Sequence, residues 1–211
     1  MPYNLLMAFR ESTAQSVADR WGGLAADVSP NPHLLLAVVA QESAGDQFAA
    51  RAEPRINDQS RGLAQVLTGT LAQMQAEGRV PREWGPDDLW NPQINLQVAD
   101  AVLRRQIAWW SGDLPRAVAS YNAGINIRQG DPLTREFPGY STAVLAYYRW
   151  FLDHWRSPGP PAGPLESPPP SEVPGELPGD TDGSPTTAFL GGAGGLALGL
   201  LVGVAIWARS R

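Results

Sequence analysis

The sequence predicts a mainly α fold: one helical globular domain, then a segment unable to bury a core, then a single apolar helix. Across residues 1–156, apolar residues recur at helical spacing between short Gly, Pro, Asn and Asp breaks. No convincing run alternates apolar and polar residues as a half-buried strand does. Composition then shifts twice, to a Pro/Gly/Ser/acid-rich stretch over 157–187 and to an uncharged apolar stretch over 188–208.

Taken in order, helices are expected near residues 5–20, 32–43, 65–77, 93–110, 113–122 and 140–155. The second has the plainest start, because Asn31 is a good N-cap and Pro32 suits the first helical position. Residues 44–63 contain Gly45, Pro54, Asn57, Asp58 and Gly62 and are expected to form a loop or small hairpin. Residues 157–187 include the runs Ser157-Pro158-Gly159-Pro160-Pro161 and Ser167-Pro168-Pro169-Pro170, which predict a disordered or polyproline-like linker. Fully extended as polyproline, it would reach roughly 90 Å.

Residues 188–208 carry no charge, and at about 1.5 Å per residue they match the roughly 30 Å apolar thickness of a bilayer. A transmembrane helix is expected there, with Trp207 at the interface and Arg209 and Arg211 in a basic tail over 209–211. Gly191, Gly195, Gly199 and Gly203 fall every fourth residue and offer a small-residue face for self-association. The start, Met1-Pro2-Tyr3-Asn4-Leu5-Leu6-Met7, does not read as a signal peptide. The trailing arginines favour a cytoplasmic C-terminus, which would put residues 1–156 across the membrane on the cell-wall side.

Bulk composition narrows the chemistry. The 211 residues include no cysteine, so disulfides, thiolate nucleophiles and thiolate metal sites are excluded. His33 and His154 lack ligand-like spacing, so no metal site is expected. Net charge is −5 and no large region is basic, so nucleic acid is not expected as a partner.

The sharpest functional signal is Glu42, which ends the apolar run Leu34-Leu35-Leu36-Ala37-Val38-Val39-Ala40. Leu35, Val38 and Val39 precede it by seven, four and three residues, so all four are expected on one buried helix face. Burial, aided by the negative end of the helix, should raise the carboxyl pKa. A carboxylic acid still protonated near neutral pH can act as a general acid.

Other segments follow Glu42 in a telling order. Gln41-Glu42-Ser43, Ser60-Arg61-Gly62-Leu63-Ala64-Gln65, Asn91-Pro92-Gln93-Ile94-Asn95-Leu96, Ala117-Val118-Ala119-Ser120-Tyr121-Asn122-Ala123-Gly124 and Gly139-Tyr140 with Val144-Leu145-Ala146-Tyr147-Tyr148 occur at sensible spacing. Together they resemble the soluble lytic transglycosylase family over roughly residues 30–152. The resemblance implies a lysozyme-like helical fold and cleavage of peptidoglycan with no cofactor and no metal. Ala64 stands where the family usually has Met, and Ser120 where Ala is commonest. The segment between Glu42 and Gly62 is long and carries Asp46, Glu53 and Asp58.

By the same resemblance Glu42 is the catalytic acid. It would protonate the oxygen linking N-acetylmuramic acid to N-acetylglucosamine, then take the proton of the muramoyl 6-hydroxyl as a 1,6-anhydro ring closes. Tyr121 is implied near the acid and the substrate acetamido group, with Ser60, Gln65, Asn122 and Tyr140 as further substrate-positioning residues. Asn122 is also read as a fastener of its helix, and Ser43 as satisfying a helix end. Two rivals stay open: a hydrolytic muramidase taking its second carboxylate from Asp46, Glu53 or Asp58, and a membrane or virion structural protein that grips glycan. The combined expectation is a membrane-anchored wall-degrading enzyme acting on peptidoglycan strands, either bacterial or delivered to a host envelope in a phage particle.

Overall fold

The computed structural model describes residues 9–54, 56–125 and 130–156. The linker over 157–187, the apolar segment 188–208 with its glycine face, and the basic tail lie outside the described residues. Among the described residues no helix is long and apolar enough to cross a membrane.

The helices start where the caps say they should. α1 spans Glu11–Val28 and α2 spans Pro32–Glu42. The Asn31 side chain accepts from the Leu34 backbone N–H at 3.2 Å, with Pro32 opening α2. α3 covers Thr68–Ala76, α4 Pro92–Trp109 and α5 Leu114–Ala123. The short α6 covers Pro132–Arg135 and α7 Tyr140–His154. Asn91, Asp113 and Asp131 cap α4, α5 and α6 in the same manner, each with a proline in the following turn. A 3-10 turn over Pro86–Trp90 leads into α4.

α2 is the axis of the domain. Every residue from Leu34 to Ala40 is buried, so the helix is enclosed on all sides rather than along the single face that sequence spacing suggested. α1 and α7 pack along it, and α4 and α5 complete the core. The α1–α2 joint is tied to α4 by the Ser29 hydroxyl, which donates to Asp100 at 2.6 Å. Arg104 bonds the other Asp100 oxygen at 2.7 Å, so this buried carboxylate is satisfied on both sides.

α1 differs from the helix expected over 5–20. It begins later, at Glu11, and runs on past residue 20 through Gly22 and Gly23 to Val28. The reason is a close crossing: a Cβ on Gly22 would lie 2.7 Å from the indole nitrogen of Trp155. The missing side chain is what lets the ring rest on the helix.

Residues 44–63 do hold a hairpin. β1 (Ala50–Glu53), β2 (Asp58–Arg61) and β3 (Val66–Leu67) form an antiparallel sheet in that order, with Arg51 opposite Ser60 and Ser60 opposite Leu67. Asp58 accepts from the backbone N–H groups of Thr68 and Gly69 at 3.1 and 2.9 Å, binding the sheet to the start of α3.

One fully buried side chain seats the loop between β2 and β3. Asn95 of α4 donates to the carbonyls of Arg61 and Leu89 at 2.8 and 2.9 Å and accepts from the Ala64 N–H at 2.9 Å. Gly62 makes this contact possible, because a Cβ there would stand 2.4 Å from the Asn95 amide nitrogen and its φ is +73°. Asn95→Ala strips three backbone groups of their partner and is expected to cost about 3 kcal/mol of stability. Urea unfolding with an unchanged m-value measures this, and a loss below about 0.5 kcal/mol would remove the loop-seating role.

Candidate active site

Glu42 is the last residue of α2, at the point where the buried helix meets a cleft. The side chain is half-buried, enclosed by protein except where it faces the cleft. Tyr140, the first residue of α7, is only 2% exposed and donates its hydroxyl to Glu42 Oε1 at 2.6 Å. The Glu42 pKa is raised to about 7. Burial is the largest cause; the Tyr140 hydrogen bond and the Arg51 charge pull the other way, and the Glu53 charge adds to the rise.

Tyr140 is aimed by its neighbours. Gly139 precedes it at φ +85°, and Glu136 accepts from the Ser141 N–H and hydroxyl at 2.9 and 2.7 Å, pinning the first turn of α7. Burial, followed by the adjacent Glu42 charge, lifts the Tyr140 pKa well above its ordinary value, so the phenol stays protonated and remains a donor. Tyr140 therefore holds the acid from behind, and the cleft surface is made by other residues.

Ser60, Gln65, Tyr121 and Asn122 line the same cleft as Glu42. Tyr121 donates to the Ala64 carbonyl at 2.9 Å, and its pKa is raised by burial and then by the Glu42 charge. Ala64, whose side chain is buried, thus serves the site through its backbone, held by Asn95 on one side and Tyr121 on the other. Asn122 accepts from the Phe137 N–H at 2.8 Å, fastening α5 to the approach to α7.

Gln65 and Ser60 form a brace. The Gln65 amide donates to the carbonyls of Ala49 and Gly62 at 2.8 and 3.0 Å, and its oxygen accepts from the Ser60 hydroxyl at 3.0 Å. These bonds hold Gln65 at φ +47°, a backbone conformation that a non-glycine residue keeps only under such restraint. Ser43 bonds the Leu63 carbonyl at 2.7 Å and the Gly45 N–H at 3.1 Å, closing the end of α2.

The three acidic residues of the long segment separate by role. Asp46 accepts from the Phe48 N–H, and Asp58 caps the start of α3. Glu53 lines the cleft and pairs with Arg51 at 2.6 Å. Sequence reasoning did not single out Arg51, Asn95 or Glu136. Asn95 stood within a motif already noted, and nothing local marked the other two. Trp110 donates to the buried Ser120 hydroxyl at 2.7 Å, whereas Trp109 is half exposed.

The transglycosylase SLT domain model matches residues 21–132, a stretch that holds Glu42 and the cleft residues Ser60, Gln65, Tyr121 and Asn122. The chain belongs to this family. A solved complex of a 70 kDa soluble lytic transglycosylase with bulgecin A aligns with 66% of this chain at 21% identity and a TM-score of 0.55. The crystal structure of the 70 kDa soluble lytic transglycosylase of Escherichia coli aligns with 65% of it at 23% identity and a TM-score of 0.48. The alignments cover 26% and 24% of those longer chains, and the first of them shows the shared fold. Comparison with curated proteins gave no match.

The raised acid of this transglycosylase domain has a thermodynamic signature. Glu42 titrates near its ordinary 4.5 in the unfolded chain and near 7 in the folded one. Between those values the folded state holds the extra proton, so its stability falls as pH rises from 4.5 to 7 and levels off above. The span is worth up to about 3 kcal/mol. Glu42→Gln, which keeps an acceptor for Tyr140, is expected to be more stable than the parent at pH 8 and equal to it at pH 4. Denaturant unfolding at the two pH values measures the difference, and equal stability at both contradicts the raised pKa.

Proposed function

We propose that this chain is a peptidoglycan lytic transglycosylase that cuts the bond from N-acetylmuramic acid to N-acetylglucosamine and leaves 1,6-anhydro ends. The observation that carries the reading is a carboxyl poised near pH 7, fixed by a buried tyrosine, at the base of a cleft in a transglycosylase SLT domain.

The chemistry follows from Glu42. Its proton passes to the glycosidic oxygen, the C1–O bond breaks, and the GlcNAc 4-hydroxyl leaves. Positive charge grows at C1 of the muramoyl sugar, where the substrate's own acetamido oxygen supports it. Tyr121 stands beside the acid to orient that group, while Ser60, Gln65 and Asn122 shape the wall against which the sugars lie. The Tyr140 hydrogen bond favours the carboxylate that Glu42 has become. That carboxylate takes the proton of the muramoyl 6-hydroxyl, whose oxygen bonds C1. The acid is regenerated, with no water consumed.

A hydrolytic muramidase is the second reading, favoured by one observation: Glu53 lines the same cleft as Glu42. A second carboxylate at a suitable distance could activate water and invert the anomeric centre. Arg51 holds Glu53 in an ion pair, which argues for a carboxylate already engaged.

The sequence beyond the domain supports a location. The uncharged stretch 188–208 is proposed as a membrane anchor and 157–187 as the tether that lets the domain reach glycan on the wall side. The Gly191, Gly195, Gly199 and Gly203 face is proposed for self-association. Carriage in a phage particle would deliver such an enzyme to a host envelope.

Mass spectrometry of muropeptides released from purified peptidoglycan tests the reaction. Anhydro-muramoyl ends are expected from the parent, with Glu42→Gln slowed by about 10²–10⁴-fold. Reducing ends would transfer the assignment to the muramidase, and unchanged wall clearing by Glu42→Gln would leave a purely glycan-gripping role. Because the protonated acid is the active form, kcat/KM is expected to fall as pH rises through about 7.

A further inference from the structure

Arg51 lines the cleft beside the acid yet takes no part in the bond-breaking steps. It stands on β1, and its side chain is 52% exposed. Its Nε donates to Glu53 at 2.6 Å. Among the described residues, nothing bonds its two terminal amino groups. Glu53 is itself only 16% exposed, so it acts as a fixed mount that holds the guanidinium by one edge. The remaining edge is a planar pair of donors, the shape that matches a carboxylate through two parallel hydrogen bonds.

Resting on the transglycosylase reading, the substrate offers a matching group. The sugar whose C1 reacts is the muramoyl residue, which carries a lactyl ether and through it a peptide stem with free carboxylates. That sugar must place its glycosidic oxygen on Glu42. Arg51 and Glu42 line one cleft and the Arg51 charge is felt at Glu42, so a sugar seated on Glu42 lies within the same cleft as the open guanidinium edge.

We propose that Arg51, mounted on Glu53, recognises a carboxylate of the peptide stem on the reacting muramoyl sugar and so sets the preference for peptide-bearing glycan. A second cationic side chain, Arg105, lines the cleft from α4. It is less suited, being 21% exposed and tied to Glu77, which also holds Arg79. Arg105 is therefore the natural comparison.

The test is binding to the full chain carrying Glu42→Gln, so that no probe is consumed. The probes are a soluble disaccharide muropeptide with free stem carboxylates and the same molecule with those carboxylates converted to amides. The Glu42→Gln protein is expected to bind the free acid about five- to tenfold more tightly. Adding Arg51→Gln should bring that ratio to one, Arg51→Lys should keep part of it, and Arg105→Gln should leave it in place. No preference in the Glu42→Gln protein, a preference that survives Arg51→Gln, or one that disappears with Arg105→Gln instead would overturn the proposal. Failure to bind either probe would bring down the glycan-cleft reading itself, a different result from binding both equally.

A kinetic split separates recognition from electrostatics. Arg51→Gln in the active protein also removes a positive charge near Glu42, which moves the pH profile by the same amount on both substrates. Recognition appears only as a change in the ratio of KM values between peptide-bearing and peptide-stripped glycan. A pH shift without a change in that ratio would reduce Arg51 to tuning the acid.

Discussion

The structure depends on keeping one carboxyl poorly solvated without leaving it unbonded. A charged group enclosed by protein is costly unless a partner reaches it, and an acid with too strong a partner would ionise and lose its use. Glu42 sits between these limits. The apolar length of α2 brings it to the cleft already stripped of most water, and Tyr140 supplies a single neutral donor. A cation in direct contact would have pulled its pKa down, but the nearby cation, Arg51, is bonded instead to Glu53. The balance of opposing influences leaves the pKa at about 7.

Everything around the acid serves to hold that arrangement still. Asn95 and Tyr121 grip the backbone of Ala64 from two elements, and Gln65 keeps a strained backbone angle because its amide is bonded on both ends. Glu136 and Asn122 fasten the approach to α7 and so aim Tyr140. The cleft is therefore built from side chains whose own hydrogen bonds are mostly spent on protein. Such a wall has little freedom to rearrange when a ligand enters, which is the preorganisation that transition-state stabilisation requires.

Much of this was legible in the residues alone, for physical reasons that can be named. Asn31-Pro32 and Asn91-Pro92 mark helix starts because capping is local chemistry, and both helices begin where expected. The broken composition of 44–63 pointed to a loop or small hairpin because Gly, Asn and Asp adopt turn conformations readily, and the fold holds a hairpin there. The end of α1, expected near residue 20, was not legible, since nothing local shows that Gly22 makes room for the Trp155 ring. Tyr140 was visible as a site residue, but its duty toward Glu42 arises from a contact 98 residues apart. Arg51 and Glu136 carry no local signature, because an ion pair or a helix pin acquires meaning only from what the fold sets beside it.

The seat of Trp155 on Gly22 also divides two duties between the ends of one helix. His33, near the opening of α2, stacks edge-on against the same indole at 5.1 Å between ring centres. The described chain thus ends at an aromatic rivet set near the N-terminal end of α2, while Glu42 occupies its C-terminal end, about 14 Å away at 1.5 Å per residue. The packing that fixes the end of the described chain and the packing that poises the acid therefore sit at opposite ends of α2, so loosening the Trp155 seat disturbs the α1–α2 crossing without touching the Glu42–Tyr140 contact.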